Sequence, residues 1–486
     1  MSGAGPAEPA LIAIDLGAES CRVSLLRWHA DRPCISMVRR FANGPENHGA
    51  AGWRWNLDRI CAELDAGLRP CAELAPEGIA AVGVTGWAVD YVRLDSSGKP
   101  LAFPYCYRDE RTRTAMSAVH SILPAEKLYA IAGVQIQPIN TLYQLSADRQ
   151  AGIADSAPWV NLPEYILHWL GAPRIAEYTN ATHTGLVDPA TGQWSDKIFS
   201  ALGFDRRAAP ELVAPGTALG PIRDDLRRLP AFAETQLIAP ACHDTASAIA
   251  GIPEPRGNWA YISSGTWSLV GVPLEHSLRT HDAFARGFTN LGSADGSILF
   301  HRGIPGMWLL QQCMNGWQQN PSWTLPELIE AAHRLPDPGP LLDLDDPALL
   351  PPGDMTARIN GQRARHGLAP LPDNFDAAPR YANLIFHSLA ARYGKLIADI
   401  EQMTSHRPQK IFIVGGGNRN AYLNSLTEQA TGLPVRRGSV ESSTIGNFAL
   451  QWARIEHGTA PIAAATLTEK VRALANAPIA PGSERI

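Results

Sequence analysis

Two short apolar runs, residues 11–14 (Leu-Ile-Ala-Ile) and 259–262 (Trp-Ala-Tyr-Ile), break off in the same way. The first enters Asp15-Leu16-Gly17-Ala18-Glu19-Ser20 and resumes as an apolar run at residues 23–26. The second enters Ser263-Ser264-Gly265-Thr266-Trp267-Ser268 and resumes at residues 269–272. An apolar run, a turn of Gly and small hydroxyl residues, and a second apolar run predict a β-hairpin with a tight polar tip. A Gly-containing tip can turn several backbone N–H groups toward one anion, with hydroxyls alongside. One such tip in each half of the chain suggests two domains gripping one phosphate chain.

The first half otherwise alternates strand and helix patterns. Residues 79–84 and 236–238 read as buried strands. Leu57, Ile60, Cys61, Leu64 and Leu68 have helical spacing over residues 57–68. The polar, turn-forming Glu254-Pro255-Arg256-Gly257 is a junction placed directly before the second hairpin. Six prolines between residues 335 and 354 exclude a regular helix there and predict a surface insertion. Residues 381–403 carry the clearest helix, with Ile385, Leu389, Tyr393, Leu396 and Ile400 as one stripe. It leads into an apolar strand at residues 410–414, then Gly415-Gly416-Gly417, then a helix starting near Tyr422.

The bulk properties narrow the classes. The chain has 486 residues, enough for two domains with full cores, and a formal net charge of −5. That charge leaves no electrostatic footprint for nucleic acid. No apolar run approaches the ~20 residues of a membrane span. The first nine residues lack a basic start and an apolar stretch, so they read as a flexible tail (residues 1–10) and not as a signal peptide. Seven cysteines, at 21, 34, 61, 71, 106, 242 and 313, are odd in number and without a Cys-x-x-Cys pair. Neither a disulfide framework nor zinc is signalled, and a reducing cytoplasm is expected. Cys21 and Cys242 read as small buried residues.

Four segments carry candidate chemistry. Asp15 ends an apolar strand beside a Gly turn, where a carboxylate orients Mg²⁺ or its water shell; a turn Asp bonding nearby N–H groups looks the same in sequence. The Ser263-Ser264-Gly265-Thr266 tip is a phosphate grip or an ordinary hairpin turn. Gly415-Gly416-Gly417-Asn418-Arg419-Asn420 lets a nucleotide approach the backbone, or packs helix on strand; it is not a dinucleotide fingerprint, because Asn420 stands where the third glycine belongs. In Pro240-Ala241-Cys242-His243-Asp244-Thr245-Ala246-Ser247, Asp244 stands just before a helix whose dipole favours its ionised form, suiting it to accept a hydroxyl proton; a plain N-cap is the alternative. His243 has no second His at ligand spacing. There is no nucleophile elbow, no His-Glu-x-x-His and no P-loop.

In this order, the segments resemble the FGGY family of sugar kinases, within the actin/hexokinase-like superfamily, and among them the rhamnulokinases. The resemblance rests on Asp15-Leu16-Gly17-Ala18, Arg40-Phe41-Ala42-Asn43-Gly44, Tyr107-Arg108-Asp109, Asn140-Thr141-Leu142-Tyr143-Gln144-Leu145, Glu177-Tyr178-Thr179-Asn180-Ala181-Thr182, His243-Asp244-Thr245-Ala246-Ser247-Ala248, Ser263-Ser264-Gly265-Thr266-Trp267-Ser268-Leu269, Trp308-Leu309-Leu310-Gln311 and Ser443-Thr444-Ile445-Gly446-Asn447. It implies an α/β fold of two actin-like (ribonuclease H-like) domains with a cleft between them: residues 11–253 for the sugar and catalytic base, residues 254–486 for the nucleotide. It implies ATP and Mg²⁺ as cofactors and a ketose as the small-molecule partner, with no nucleic acid and no membrane, in a monomer or homodimer. L-rhamnulose going to its 1-phosphate is the expected reaction; L-fuculose, another ketose, or a non-catalytic sugar- or nucleotide-binding regulator are the alternatives.

By the same resemblance, Asp244 is the catalytic base and Asp15 the metal-orienting carboxylate. Ala18, Glu19, Ser20, Cys21, Arg22 and Thr266 are phosphate-gripping positions. Gln311, Gly415, Gly416 and Gly417 are nucleotide contacts, and Ala88, Asp90, His243, Thr245 and Gly303 line the sugar. The chain departs from the rhamnulokinase pattern at Ala88 and Gly303, where Gly and Asn are typical, and at Glu19 and Cys21, where small Ser and Gly are typical. The first two departures fall on the sugar side and leave the choice of ketose open.

Overall fold

The computed structural model describes residues 8–30, 32–317, 323–460 and 462–480. Most of the tail expected at residues 1–10 lies outside them, but Ala10 is already buried in the first strand. The elements that position the site are, in chain order, β1 (Ala10–Leu16), β2 (Ser20–His29), β3 (Arg32–Ala42), α1 (Leu57–Leu74), β4 (Ile79–Gly86), β5 (Thr217–Pro221), β6 (Gln236–Ala239) and α2 (Asp244–Ala250). There follow β7 (Trp259–Ser264), β8 (Trp267–Leu274), α3 (Trp308–Gly316), α4 (Ala378–Thr404), β9 (Lys410–Val414), α5 (Ala421–Thr431), β10 (Val435–Arg437) and α6 (Ser442–His457). Both predicted hairpins form, as β1–β2 and β7–β8.

The chain divides into two compact units. One comprises residues 1–255, 274–300 and 442–486; the other comprises residues 256–273 and 301–441. The first crossing falls at the expected Glu254–Gly257 junction. The second unit does not run on to residue 486, as the sequence suggested; from residue 442 the chain belongs to the first unit again.

The first unit is built on a seven-stranded mixed sheet in the order β5-β6-β4-β1-β2-β3, with Ile479–Ala480 added at the β3 edge. β1 runs antiparallel to β2 and parallel to β4, and β6 runs parallel to β4. β1 is buried along its whole length, and strand alternation sorts its side chains. Ile12, Ile14 and Leu16 pack into one cluster with Ile60, Leu64 and Leu68 of α1. The odd positions, Asp15 among them, therefore face the other side. α6 covers that side. Gln451 Nε2 donates to the Ile12 carbonyl at 2.9 Å, Asn447 Nδ2 to the Gly83 carbonyl at 3.2 Å, and Ser247 Oγ of α2 to the Ser443 carbonyl at 2.7 Å. These hydrogen bonds, two from amides and one from a hydroxyl, contribute about 1 kcal/mol each, and a donor left unpaired costs more. They tie α6 to this unit, together with its buried apolar face of Ile445, Phe448, Ala449 and Leu450. Gly446 allows the contact with α2, because a Cβ there would collide with the Ser247 backbone.

In the second unit β7 runs antiparallel to β8 and parallel to β9, and β9 runs parallel to β10. A hairpin whose first strand pairs in parallel with a later strand is thus the core of both units. α4 supplies the predicted stripe: Ile385, Leu389, Tyr393, Leu396 and Ile400 are all fully buried. The proline-rich segment holds only a short 3-10 turn, Pro347–Leu349, and is pinned by buried Leu342, Leu344 and Leu349.

Candidate active site

Asp244 is the first residue of α2, not its cap; His243 takes the N-cap position and makes no side-chain capping bond. The carboxylate nonetheless accepts from the Thr245 backbone N–H in the first turn. Protein surrounds it, yet 36% of its side-chain surface stays open. Oδ1 accepts from Thr245 Oγ1 at 3.2 Å and faces His243 Nε2 at 3.4 Å. Burial and then the nearby charge of Asp15 push its pKa up to about 7, in the range of a working general base. Thr245, expected against the sugar, is buried and turns its hydroxyl to Asp244.

Asp15 sits at the end of β1 opposite Thr85 of β4. Its Oδ1 accepts from Thr85 Oγ1 at 3.2 Å and from Ser443 Oγ of α6 at 3.4 Å, and its Oδ2 pairs with Arg22 Nε at 3.3 Å. This is a hard-oxygen set of one carboxylate and two hydroxyls. It suits a Mg²⁺ ion that keeps most of its waters and takes its remaining ligands from phosphates. Among the described residues no three His, Cys, Asp or Glu side chains gather as a self-sufficient metal cage. Thr85 and Ser443 were not singled out in the sequence as site residues; only the β1–β4 register and the return of α6 bring them to Asp15.

The N-terminal tip is closed from outside. Asn43 donates its N–H to the Glu19 carbonyl at 2.8 Å and its Nδ2 to the Gly17 carbonyl at 2.9 Å. Glu19 is exposed, Ala18, Ser20 and Arg22 are half-buried, and Arg40 reaches Ser20 Oγ at 3.4 Å. Cys21 differs from its neighbours. Its thiol points inward to the Gly17 carbonyl at 3.6 Å and burial raises its pKa to about 12, so only its backbone belongs to the tip.

The turn after β4 carries Ala88 and Asp90. Asp90 is fully buried, with Oδ2 accepting from Trp55 Nε1 at 2.6 Å and Trp87 Nε1 at 2.9 Å, and Oδ1 from Gln144 Nε2 at 3.2 Å. Expected against the sugar, it instead lies beneath two tryptophans and offers no surface of its own. Between Ala88 and Asp90, Val89 has φ of +70°, a costly conformation for a β-branched residue. Its carbonyl is held by Thr141 Oγ1 at 2.7 Å and Gln144 Nε2 at 3.2 Å. The Asn140–Leu145 motif thus clamps this turn. Behind His243, buried Glu177 accepts from the Cys242 N–H at 2.7 Å and the Thr179 N–H at 2.8 Å, fixing the loop that presents Asp244. Cys242 is buried and its thiol is kept neutral by that burial, the bland role expected of it.

In the second unit, Thr266 is the tip of the β7–β8 hairpin. Its carbonyl accepts from the Gly306 N–H at 3.0 Å and the Trp308 N–H at 3.2 Å, which locks the tip to the start of α3; Gln311 follows one turn into that helix, half-buried. The three glycines after β9 do different things. Gly415 has φ of +82° and lies against the Ser264 backbone, and a Cβ on Gly417 would overlap Ser264 Oγ. Both are packing glycines. Gly416 is exposed, and a Cβ there would meet nothing within 4 Å. Gly303, assigned to the sugar together with Ala88 and His243, belongs to the second unit, on the strand Ile298–Pro305.

Two α/β units, each built on a β-hairpin whose first strand pairs in parallel with a later strand, have the actin-like fold of sugar phosphotransferases. The FGGY family of carbohydrate kinases matches the chain in both parts, its N-terminal domain over residues 10–251 and its C-terminal domain over residues 260–454. The chain belongs to this family and is a carbohydrate kinase. It is 33% identical over 444 residues to a rhamnulokinase of Enterococcus faecalis, covering 90% of this chain and 88% of that one. It is 35% identical over 451 residues to a rhamnulokinase of Pectobacterium carotovorum, covering 91% and 87%. Solved structures share the fold at low identity. A gluconate kinase from Lactobacillus acidophilus superposes with a TM-score of 0.74 at 14% identity, over 95% of this chain and 91% of that one. Glycerol kinase from Plasmodium falciparum with ADP gives 0.71 at 13%, over 95% and 92%. Among the described residues no helix is long and apolar enough to cross a membrane.

Proposed function

We propose that this kinase transfers the γ-phosphoryl group of ATP to the 1-hydroxyl of a ketose, with L-rhamnulose as the first candidate. The observation that carries the reading is Asp244. It is a carboxylate at the start of α2 with 36% of its side-chain surface open, its Oδ1 engaged by Thr245 and faced by His243. As the O–H bond of the acceptor breaks, its proton passes to the Asp244 carboxylate. The oxygen forms the new bond to phosphorus, and the bond to ADP breaks. Phosphoryl transfer asks the protein for alignment and charge stabilisation more than for covalent help. Asp15, with Thr85 and Ser443, is assigned to hold Mg²⁺ with its waters, which when bound neutralises phosphate charge. The backbones of residues 18–22 and Thr266 are assigned to the phosphates, and Gln311 and the exposed Gly416 to the nucleotide.

The relatives named rhamnulokinase support L-rhamnulose, while Ala88 and Gly303 favour a test of other ketoses, because an added methyl and a lost hydrogen bond together shift preference by about a hundredfold. A coupled ADP-release assay over L-rhamnulose, L-fuculose, L- and D-ribulose, and L- and D-xylulose decides it. The highest kcat/KM with L-rhamnulose is the expected result; turnover of another ketose with none of L-rhamnulose overturns the substrate, and no turnover of any overturns the ketose reading.

A further inference from the structure

His183 was not singled out by the sequence. It lies in the 3-10 turn Thr182–Thr184 of the first unit. The flanking hydroxyls tie that turn down: Thr182 Oγ1 donates to the Thr179 carbonyl at 2.8 Å and Thr184 Oγ1 to the Ala181 carbonyl at 2.6 Å. The His183 ring meets His243 with centroids 3.9 Å apart and planes at 60°, and its Nε2 lies 3.0 Å from His243 Nδ1. The other nitrogen of His243, Nε2, faces Asp244 Oδ1 at 3.4 Å. A chain of contacts therefore runs from His183 through His243 to Asp244. Around it stand Asp15 from β1 and Arg22 from β2, the charges that act on Asp244, with Thr245 on α2 and Thr179 behind the His243 N–H.

One proton must lie between the two rings, and its owner decides what His243 presents to Asp244. If neutral His243 owned it on Nδ1, a bare Nε2 lone pair would face a carboxylate oxygen, which is repulsive. If His183 owns it, His243 accepts at Nδ1 and carries its own proton on Nε2, and both contacts are attractive. Loss of water around the ring pushes the His183 pKa down to about 3, so this ring is neutral and has a single proton to place.

We propose that His183 is a positioning residue for the acceptor site: its Nε2–H donates to His243 Nδ1, so that His243 directs a protonated Nε2 at Asp244 Oδ1 and fixes that carboxylate toward the acceptor. This deepens the kinase reading and rests on it for its catalytic consequence. The tautomer itself is measurable without substrate. In ligand-free protein labelled with ¹⁵N-histidine, long-range ¹H–¹⁵N correlation at neutral pH reads the protonation of each ring nitrogen. The His243 signals are identified by their loss in His243→Gln. The expected pattern is Nε2 protonated and Nδ1 bare. In His183→Leu that pattern gives way to a mixture, and kcat falls about tenfold or more, a part of the 10²–10⁴ that a positioned base supplies, with KM for ATP unchanged. His183→Gln keeps a donor and recovers the tautomer and most of kcat. A His243 protonated on Nδ1, alone or together with Nε2, overturns the proposal. So does a His183→Leu variant that keeps both the tautomer and kcat. If His183→Leu does not fold, the wild-type spectrum decides alone. Absence of turnover with every ketose, beside the expected spectrum, strikes the kinase reading and leaves the pairing standing.

Discussion

Thr141 Oγ1 donates to the carbonyl of Val89 at 2.7 Å and so holds a β-branched residue at φ of +70°. The strained turn carries Ala88 on one side and Asp90 on the other. Thr141→Val removes the buried donor at nearly constant volume. It is expected to destabilise the fold by about 1–3 kcal/mol and to raise KM for the ketose more than KM for ATP. Denaturant melts and steady-state kinetics check both. Equal changes in the two KM values would mean that the clamp serves stability alone.

Asp244→Asn keeps the shape of the side chain and removes the base. A fall in kcat of at least about 10²–10⁴-fold is expected, with ATP affinity and melting temperature near those of the wild type. Turnover close to normal would remove Asp244 from its assigned role.

The pKa of Asp244 is raised by burial and then by Asp15 to about 7. A base works when ionised, so the sign is definite: kcat/KM falls as pH drops through about 7 and reaches a plateau above it. Removing the neighbouring negative charge lowers the repulsion on ionised Asp244, so Asp15→Asn is expected to shift that limb to lower pH while reducing kcat. A pH–rate profile on both proteins tests the shift; an acid limb lying in the ordinary carboxylate range would place Asp244 in a more solvated setting.

Gly416 and Gly417 separate packing from binding. Gly417→Ala drives a methyl into Ser264 Oγ and is expected to cost about 1–3 kcal/mol of stability, as overpacking does. Gly416→Ala meets open space and is expected to leave the melt unchanged while weakening ATP binding. Calorimetric titration with ATP distinguishes them, and unaltered ATP affinity in Gly416→Ala would take this residue out of the nucleotide site.

Glu164 lies buried beside Glu177, accepting from the Glu177 N–H at 3.1 Å and from Asn180 Nδ2 at 2.8 Å. Burial first, and then the like charge of Glu177, raise its pKa. The folded state then holds protons that the unfolded chain releases, so stability is full below the ordinary carboxylate range and falls as pH rises toward about 8. Glu164→Gln is expected to flatten that decline. Melting temperatures measured from about pH 5 to pH 8 with equal slopes in both proteins would refute the linkage.

Much of this protein is legible one segment at a time. The two hairpins, the 385–400 stripe and the proline-rich insertion follow from local periodicity and from backbone limits that need no partner, and all formed as read. The order of Asp15, Asp244, the Ser-Gly-Thr tip and the triple glycine was enough to point to the family. Pairings over long sequence distances were not legible. Nothing local in residues 442–457 says that this helix returns to cover β1 and β4, because that depends on buried amides finding carbonyls of Ile12 and Gly83. Nor does a lone Thr85, Ser443 or His183 announce a site. Each acquires chemistry only when the register of a sheet or the seat of a helix places it within 3–4 Å of a carboxylate or an imidazole.

The sequence by itself determined which residues carry charge and protons, where the chain must turn, and which faces must be buried, since these depend on side-chain chemistry and spacing along the backbone. Tertiary structure decided that Asp244 Oδ1 meets Thr245 and His243, that Asp90 is buried under Trp55 and Trp87, and that of three consecutive glycines only Gly416 faces open space. Those are matters of direction and distance between groups far apart in the chain, and packing alone sets them.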